Sequence, residues 1–361
     1  MMKSNKFLFS GWPLLGMVLG GLGIITFSIA WLNWDFQVAT FFSQSNWAFG
    51  QNTFFVWLYS YGAYFSIGLI VLSIIGWILS FIFSQWQSYR KICVLILLTA
   101  AIGSGFLING VLKPYWGRPR PVQIEQFGGP WEYREFYEPG IAARGQSFPS
   151  GHVSIVSLFL VCVFAWKQSR RLAISGVLFG TILTISMSIC RMAQGGHFLT
   201  DTIWAAGSMI LTAMVFENIF FKENPKKHFQ KIPLWGYAVL ILLIGGLLFL
   251  TVRKPFYETV IYTVPEKEKI SSLVIEVSQP ISANVVYKKI LSPRIVTNVK
   301  GASWLTYTPT QIRPLYQKTE KTGFMFIEIV SEGNLIYMKN EIIVELPLAF
   351  RKNVSLSFIS P

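Results

Sequence analysis

The sequence predicts an all-α polytopic membrane protein, a six-helix core followed by a seventh transmembrane helix, with a small all-β extramembrane domain at its C-terminus. Three observations predict it. Of 361 residues, 52% are hydrophobic and only 13% charged, against about 25% charged in an ordinary soluble protein. With a mean hydropathy of +0.48, a purely water-soluble protein is excluded. Seven apolar runs approach the ~20 residues that span roughly 30 Å of hydrocarbon. Residues 253–361 then abandon that pattern for β-branched and aromatic runs broken by Pro, Gly and Asn.

The expected spans lie at about 13–32, 60–83, 92–112, 151–166, 172–190, 200–221 and 233–252. The fourth is short, but it continues from a Pro-Ser-Gly start that reads as a helix N-terminus. Lys3 and Lys6 precede the first run as they would in a signal peptide. Its length and the lack of a small-residue cleavage site favour a retained anchor. Cytoplasmic loops are enriched in Lys and Arg, which places the N-terminus inside. The inside segments then hold Lys3 and Lys6; Arg90 and Lys91; Lys167, Arg170 and Arg171; and Lys222, Lys226, Lys227 and Lys231. The first outside loop, about 33–53, carries no Lys or Arg.

Three divisions follow: a six-span core over residues 1–221, a cytoplasmic loop and seventh helix over 222–252, and an outside β-rich domain over 253–361. Segments such as YETVIYTV, SSLVIEVS and GFMFIEIV give that last domain about seven short strands. It holds no visible chemical motif.

Cys93, Cys162 and Cys190 all fall inside or at the ends of apolar runs, where cysteine acts as a small hydrophobe. They imply neither a disulfide framework nor a zinc site. Lys and Arg outnumber Asp and Glu by 31 to 17, a net charge of +14. Such an excess fits a nucleic-acid binder, cytoplasmic loops or a site for anions. Its distribution decides against nucleic acid, because much of it marks the inside loops and most of the core's other basic residues, Lys113, Arg118, Arg120 and Arg191, fall in the outside clusters described next.

The first cluster is KPYWGRPRP, with Lys113, Arg118 and Arg120 leaving the third span. The second is SFPSGH, Ser147 to His152, entering the fourth. The third is CRMAQGGHFLTD, with Arg191, His197 and Asp201 between the fifth and sixth. Singly, each has an ordinary explanation. Lys113 reads as a snorkelling interfacial lysine, and Arg118 and Arg120 as solvated loop charges. Arg191 is harder to explain away, because an outside arginine after a long apolar run opposes the topology rule. Jointly they point to function, the default for ionisable groups embedded in a membrane.

Two of the three histidines lie in these clusters. His197 and Asp201 are four apart, so a sixth helix starting near Gly196 puts them on one face, where the carboxylate can hold the imidazole tautomer. Ser150 can cap the fourth helix, leaving the amides of Gly151 and His152 to face an oxyanion. His228, on the inside, reads as a solvated loop residue. Cations, an amide cradle and two histidines describe a phosphoryl site, since the transferring group spreads negative charge that Lys and Arg neutralise. No carboxylate cluster suited to a divalent cation accompanies them, so the expected mechanism uses no metal and no cofactor.

Lys113 with six residues to Arg120-Pro121, then Pro149-Ser150-Gly151-His152, then Arg191 with five residues to His197 and three more to Asp201, resembles the three-part signature of the type-2 phosphatidic acid phosphatase superfamily. The resemblance covers about residues 13–221, and Cys190 stands where the signature usually has Ser. It implies that His197 attacks phosphorus, Asp201 orients it, and His152 protonates the leaving oxygen and later activates water. It implies that Lys113, Arg120, Arg191, the Ser150 hydroxyl and the Gly151 amide hold the phosphate, with the neighbouring Arg118 at the rim. A lipid substrate follows, in a bacterial inner membrane with the site and the C-terminal domain on the periplasmic side.

The string GRPRPVQ…FGG resembles bacterial members that act on lipid A phosphates. An outside site equally fits undecaprenyl pyrophosphate or phosphatidylglycerophosphate. A phosphotransferase passing the group to a second lipid would use the same phosphohistidine. The aromatic residues Trp131, Tyr133, Phe136 and Tyr137 read as an interfacial belt rather than as a headgroup site.

Overall fold

The computed structural model describes residues 11–221 and, beyond them, 253–264, 272–277, 282–288, 292–304, 310–319, 322–331, 335–347 and 355–359. The expected seventh span, the loop before it with His228, and Lys3 and Lys6 lie outside the described residues. The chain forms two compact units, residues 1–141 with 145–247, and 142–144 with 248–361.

The first unit is helical. Helix α1, Trp12–Trp31, opens with a proline in its first turn, where the missing amide costs nothing. Helix α3, Thr53–Ile82, starts seven residues before the expected span because Asn52 Oδ1 accepts from Phe54 N and caps it. Between them, where a loop was expected, runs a short helix α2, Trp34–Ser43. At ten residues and with mixed polarity, it carries none of the apolar length that marks a span. Helix α4, Arg90–Leu98, continues as a π-helix over Thr99–Leu112 and a last turn α5, Lys113–Trp116. Gly117, at φ 72°, ends that run in the left-handed conformation glycine adopts freely.

Helix α6, Gly151–Val156, tightens into a 3-10 helix over Ser157–Ala165. Helix α7, Arg170–Ala193, is capped by Ser169 Oγ, and α8 spans Leu199–Phe220. Among the described residues five helices are long and apolar enough to cross a membrane, and Gly151–Ala165 is a shorter apolar one. The protein is therefore a multi-pass membrane protein, and each of the six expected core runs has a helical counterpart. Side chains such as Ile24, Leu72 and Ile182 stay exposed on the outer faces, as hydrocarbon contact requires. The buried face of α3 carries Gly62, Ser66, Ser73 and Gly76, small residues that let helices approach closely in lipid.

Two opposite ends of the bundle are thereby defined. At one, Lys91 at the start of α4 pairs with Glu217 near the end of α8 at 2.5 Å. At the other meet the end of the α4 to α5 run, the start of α6, the end of α7 and the start of α8.

The second unit is all β, with eight described strands rather than about seven: β1 Arg253–Thr263, β2 Ser272–Val277, β3 Ser282–Lys288, β4 Arg294–Trp304, β5 Thr310–Thr319, β6 Thr322–Ser331, β7 Leu335–Pro347 and β8 Ser355–Ile359. They make two four-stranded sheets, ordered β1-β4-β7-β3 and β5-β6-β2-β8. Ile295, Thr297 and Val299 on β4, like Ile342, Val344 and Leu346 on β7, alternate into a core that Ile275 and Ile327 enter from the other sheet.

Candidate active site

Four chain segments bring the site together because each ends or starts a helix at the same end of the bundle. Ser150 N, just before α6, donates to the carbonyl of Asp201 in the first turn of α8 at 3.2 Å, which joins the two helix starts. Gly151 is the residue that fits there, since a Cβ would lie 2.3 Å from Asn109 Oδ1 of the π-helix. His152 follows and lies against Tyr59 of α3, ring centroids 4.7 Å apart. The Arg191 guanidinium sits 4.7 Å from the centroid of the same tyrosine, and its Nη1 donates to Gln194 Oε1. Gly196 leaves it room, because a Cβ would come within 2.4 Å of Arg191 Nη2.

Lys113, Arg120 and Arg191 lie within electrostatic reach of His152, and Lys113 and Arg191 within reach of His197. Arg120 and Arg191 also line a cavity of about 340 Å³, with Gln51, Tyr59, Val122 and Gln194. The buried polar atoms without a hydrogen bond among the described residues include four in these motifs: Ser150 Oγ, Arg120 Nε, Arg191 Nε and His197 Nε2. Buried polar atoms are ordinarily paired, so four orphans from three motifs mark a place built for a polar ligand. Ser150 Oγ, Arg120 Nε and Arg191 Nε are donors for an oxyanion, and His197 Nε2 is the ring nitrogen of the candidate nucleophile. Among the described residues no group of three or more His, Cys, Asp or Glu is placed to hold a metal ion.

The sequence reading needs three corrections. Ser150 occupies the N-cap position of α6, but its side chain makes no capping bond; the hydroxyl is left for the cavity. Asp201 lies at ion-pair distance from His197, and the ring's hydrogen bond goes to the Ser147 carbonyl instead. Helix α8 begins at Leu199, so His197 precedes it, and its Nδ1 donates to the Ser147 carbonyl at 2.6 Å, while Asp201 Oδ2 lies 3.8 Å away. A carbonyl only accepts, so Nδ1 carries the proton and Nε2 the lone pair. Asp201 holds the scaffold instead. It accepts from Ser147 Oγ at 2.5 Å and from Phe198 N at 2.8 Å, which fixes the segments on both sides of the imidazole.

Arg118 is not at the rim. It is 0% exposed, with Nη1 on Asp201 Oδ1 at 2.5 Å, Nη2 on Asp35 Oδ2 at 2.8 Å and Nε on the carbonyl of Arg134 at 2.9 Å. A guanidinium buried without partners would be prohibitive, and two carboxylates draw it inward.

Sequence reasoning missed Asp35, Thr200, Tyr59 and the Ser147 carbonyl. Asp35 had a signal: it is the sole acidic residue before Glu125, in a segment otherwise apolar or neutral. His197 is also buried, and desolvation pushes its imidazole down to about 4 despite the pull of Asp201. It is therefore neutral at neutral pH, with Nε2 able to act as a nucleophile. Cys190, fully buried, donates its thiol hydrogen to the Phe55 carbonyl at 3.3 Å.

Residues 93–225 match the PAP2 superfamily. A protein of Francisella tularensis subsp. novicida (strain U112) named Lipid A 4'-phosphatase is 25% identical over 218 residues, 56% of this chain and 96% of that protein. Proteins of the same name from Rhizobium leguminosarum and Rhizobium etli are 33% and 34% identical over 121 and 118 residues. The chain spans only about half of their length, 51% and 45%. No solved structure matches the chain. The stretch similar to the PAP2 superfamily runs from within α4 through α8 and contains all three motifs.

Proposed function

We propose that the protein is a membrane lipid phosphatase that removes the phosphate of a lipid A headgroup at the periplasmic face, through a phosphohistidine and without a metal. The observation that carries this reading is the set of four unpaired buried atoms, three of them on phosphate-binding candidates and one on His197 Nε2. The relatives' name supplies the substrate.

In the first step His197 Nε2 bonds to phosphorus as the bond to the leaving oxygen breaks, and His152 gives that oxygen its proton. In the second, His152 takes a proton from water, whose oxygen attacks phosphorus as the P–N bond breaks and phosphate leaves. Lys113, Arg120 and Arg191 neutralise charge on the equatorial oxygens, with Ser150 Oγ and the Gly151 amide as further donors. Fixed cations perform the neutralisation that a divalent ion gives other phosphoryl-transfer enzymes. A separate apolar cavity of about 690 Å³, lined by Phe27, Leu112, Trp116, Phe148 and Trp204 among others, touches residues of the first two motifs and suits an acyl chain.

Phosphate release from lipid A, undecaprenyl pyrophosphate and phosphatidylglycerophosphate, each in mixed micelles with purified protein, tests the reading. Release from lipid A is expected. Release from undecaprenyl pyrophosphate alone would replace the substrate, and lipid A losing phosphate to a second lipid without free phosphate would make the protein a phosphotransferase. The periplasmic assignment rests on the basic inside loops. A protease added to intact spheroplasts is expected to cleave the C-terminal domain, and full protection would reverse the orientation.

A further inference from the structure

We propose that Asp35 is a positioning residue for the nucleophile: by sharing the Arg118 guanidinium with Asp201, it leaves the cluster one net negative charge to support the cation that forms on His197. This rests on the phosphohistidine reading above. Asp35 lies in the first turn of α2, outside the residues matched to the family.

The contacts form a closed network. Asp35 is 1% exposed. Its Oδ1 accepts from Thr200 N at 2.8 Å, and its Oδ2 accepts from Thr200 Oγ1 at 2.5 Å and from Arg118 Nη2. Thr200 Oγ1 in turn accepts from Arg118 Nη1 at 2.9 Å. Asp35 thus ties α2 to the start of α8, one residue from Asp201, and holds the edge of the guanidinium that Asp201 leaves free.

The charge count explains why a second carboxylate is useful. Arg118 and Asp201 alone form a neutral pair with little net field at the imidazole. With Asp35 the cluster carries one negative charge. When Nε2 bonds to phosphorus while Nδ1 keeps its proton on the Ser147 carbonyl, the ring becomes a cation beside Lys113 and Arg191. That cation needs a counter-charge that Arg118 has not cancelled. Stability alone does not account for Asp35, because burying a further carboxylate costs several kcal/mol and ion clusters are often replaceable by apolar packing at no loss.

Orthovanadate and inorganic phosphate separate the roles, since vanadate bonds to the nucleophilic nitrogen and so resembles the five-coordinate state, whereas phosphate binds without that bond. Asp35→Asn is expected to weaken vanadate binding by about 10- to 100-fold and phosphate binding by less than about threefold, as measured by calorimetry and by the ⁵¹V resonance of the bound ion. Equal weakening of both anions would make Asp35 merely structural. If Asp35→Asn does not fold, Thr200→Val decides, because it loosens the tie to α8 and keeps every charge. Vanadate affinity near wild type supports the charge role, and a large loss overturns it. If wild-type protein binds vanadate no better than His197→Ala does, the phosphohistidine reading fails, and Asp35 has no nucleophile to position.

Discussion

The imidazole of His197 is held by a backbone carbonyl, that of Ser147 at 2.6 Å, and Asp201 stands 3.8 Å from the same nitrogen. The tautomer that exposes Nε2 is thus set by main chain, and Asp201 works by fixing Ser147 and Phe198 on either side. A main-chain acceptor cannot be removed by mutation, so the nucleophile is best tested at the ring itself. His197→Ala is expected to lower phosphate release by at least about 10⁴-fold, in keeping with the loss of a nucleophile. His152→Ala is expected to approach the same loss. Full activity in well-folded His197→Ala protein would end the mechanism.

Arg118 is expected to behave as a structural ion. Arg118→Met leaves Asp35 and Asp201 buried without their cation, which costs about 3–5 kcal/mol, and should lower the thermal unfolding midpoint in detergent markedly. A solvated rim arginine would change stability by less than about 0.5 kcal/mol.

Acid should destabilise the core through His197. Its folded value of about 4 lies below the ordinary 6.5, so the folded state resists the proton that the unfolded chain accepts. No penalty exists above pH 6.5. It grows as pH falls toward 4 and reaches on the order of 3 kcal/mol below that. Unfolding midpoints across this window should fall more steeply for wild type than for His197→Gln, and parallel curves would contradict the burial argument.

The start of α6 depends on close contact between Gly151 and Asn109. Gly151→Ala drives a methyl group to 2.3 Å from Asn109 Oδ1, and overpacking of about 1–3 kcal/mol at that point should shift His152 and reduce turnover by about ten- to a hundredfold. Asn109→Gly in the same chain should restore much of it. A Gly151→Ala protein with wild-type turnover would show that the contact does not position His152.

Chelation is expected to leave phosphate release unchanged, because Lys113, Arg120 and Arg191 supply the positive charge. Turnover before and after dialysis against EDTA checks this. A strong loss restored by added Mg²⁺ would require a metal in the reaction.

Much of the fold was legible because its signals are local. An apolar run of about 20 residues has few fates other than a span, and alternation of the kind seen in β4 and β7 has few other than a strand. Helix α2 was illegible for the complementary reason: ten residues of mixed polarity carry no period strong enough to stand out. The same holds for the site. The spacing of Lys113, Arg120, His152, Arg191 and His197 marks them as one set, since each sits where a span ends.

By itself, then, the sequence determined the membrane core, the β-rich C-terminal unit, and which cations and histidines are candidates for a phosphoryl site. Only the tertiary structure decided what Arg118, Asp201 and Ser150 do there. Arg118 and Asp35 are 83 residues apart in the chain, and nothing local distinguishes a buried guanidinium shared by two carboxylates from a solvated loop arginine. The excess of positive charge shows the same division. Its sign and placement follow from composition and topology, whereas Arg118, neutralised inside the protein, is identified by its partners, and partners are made by packing.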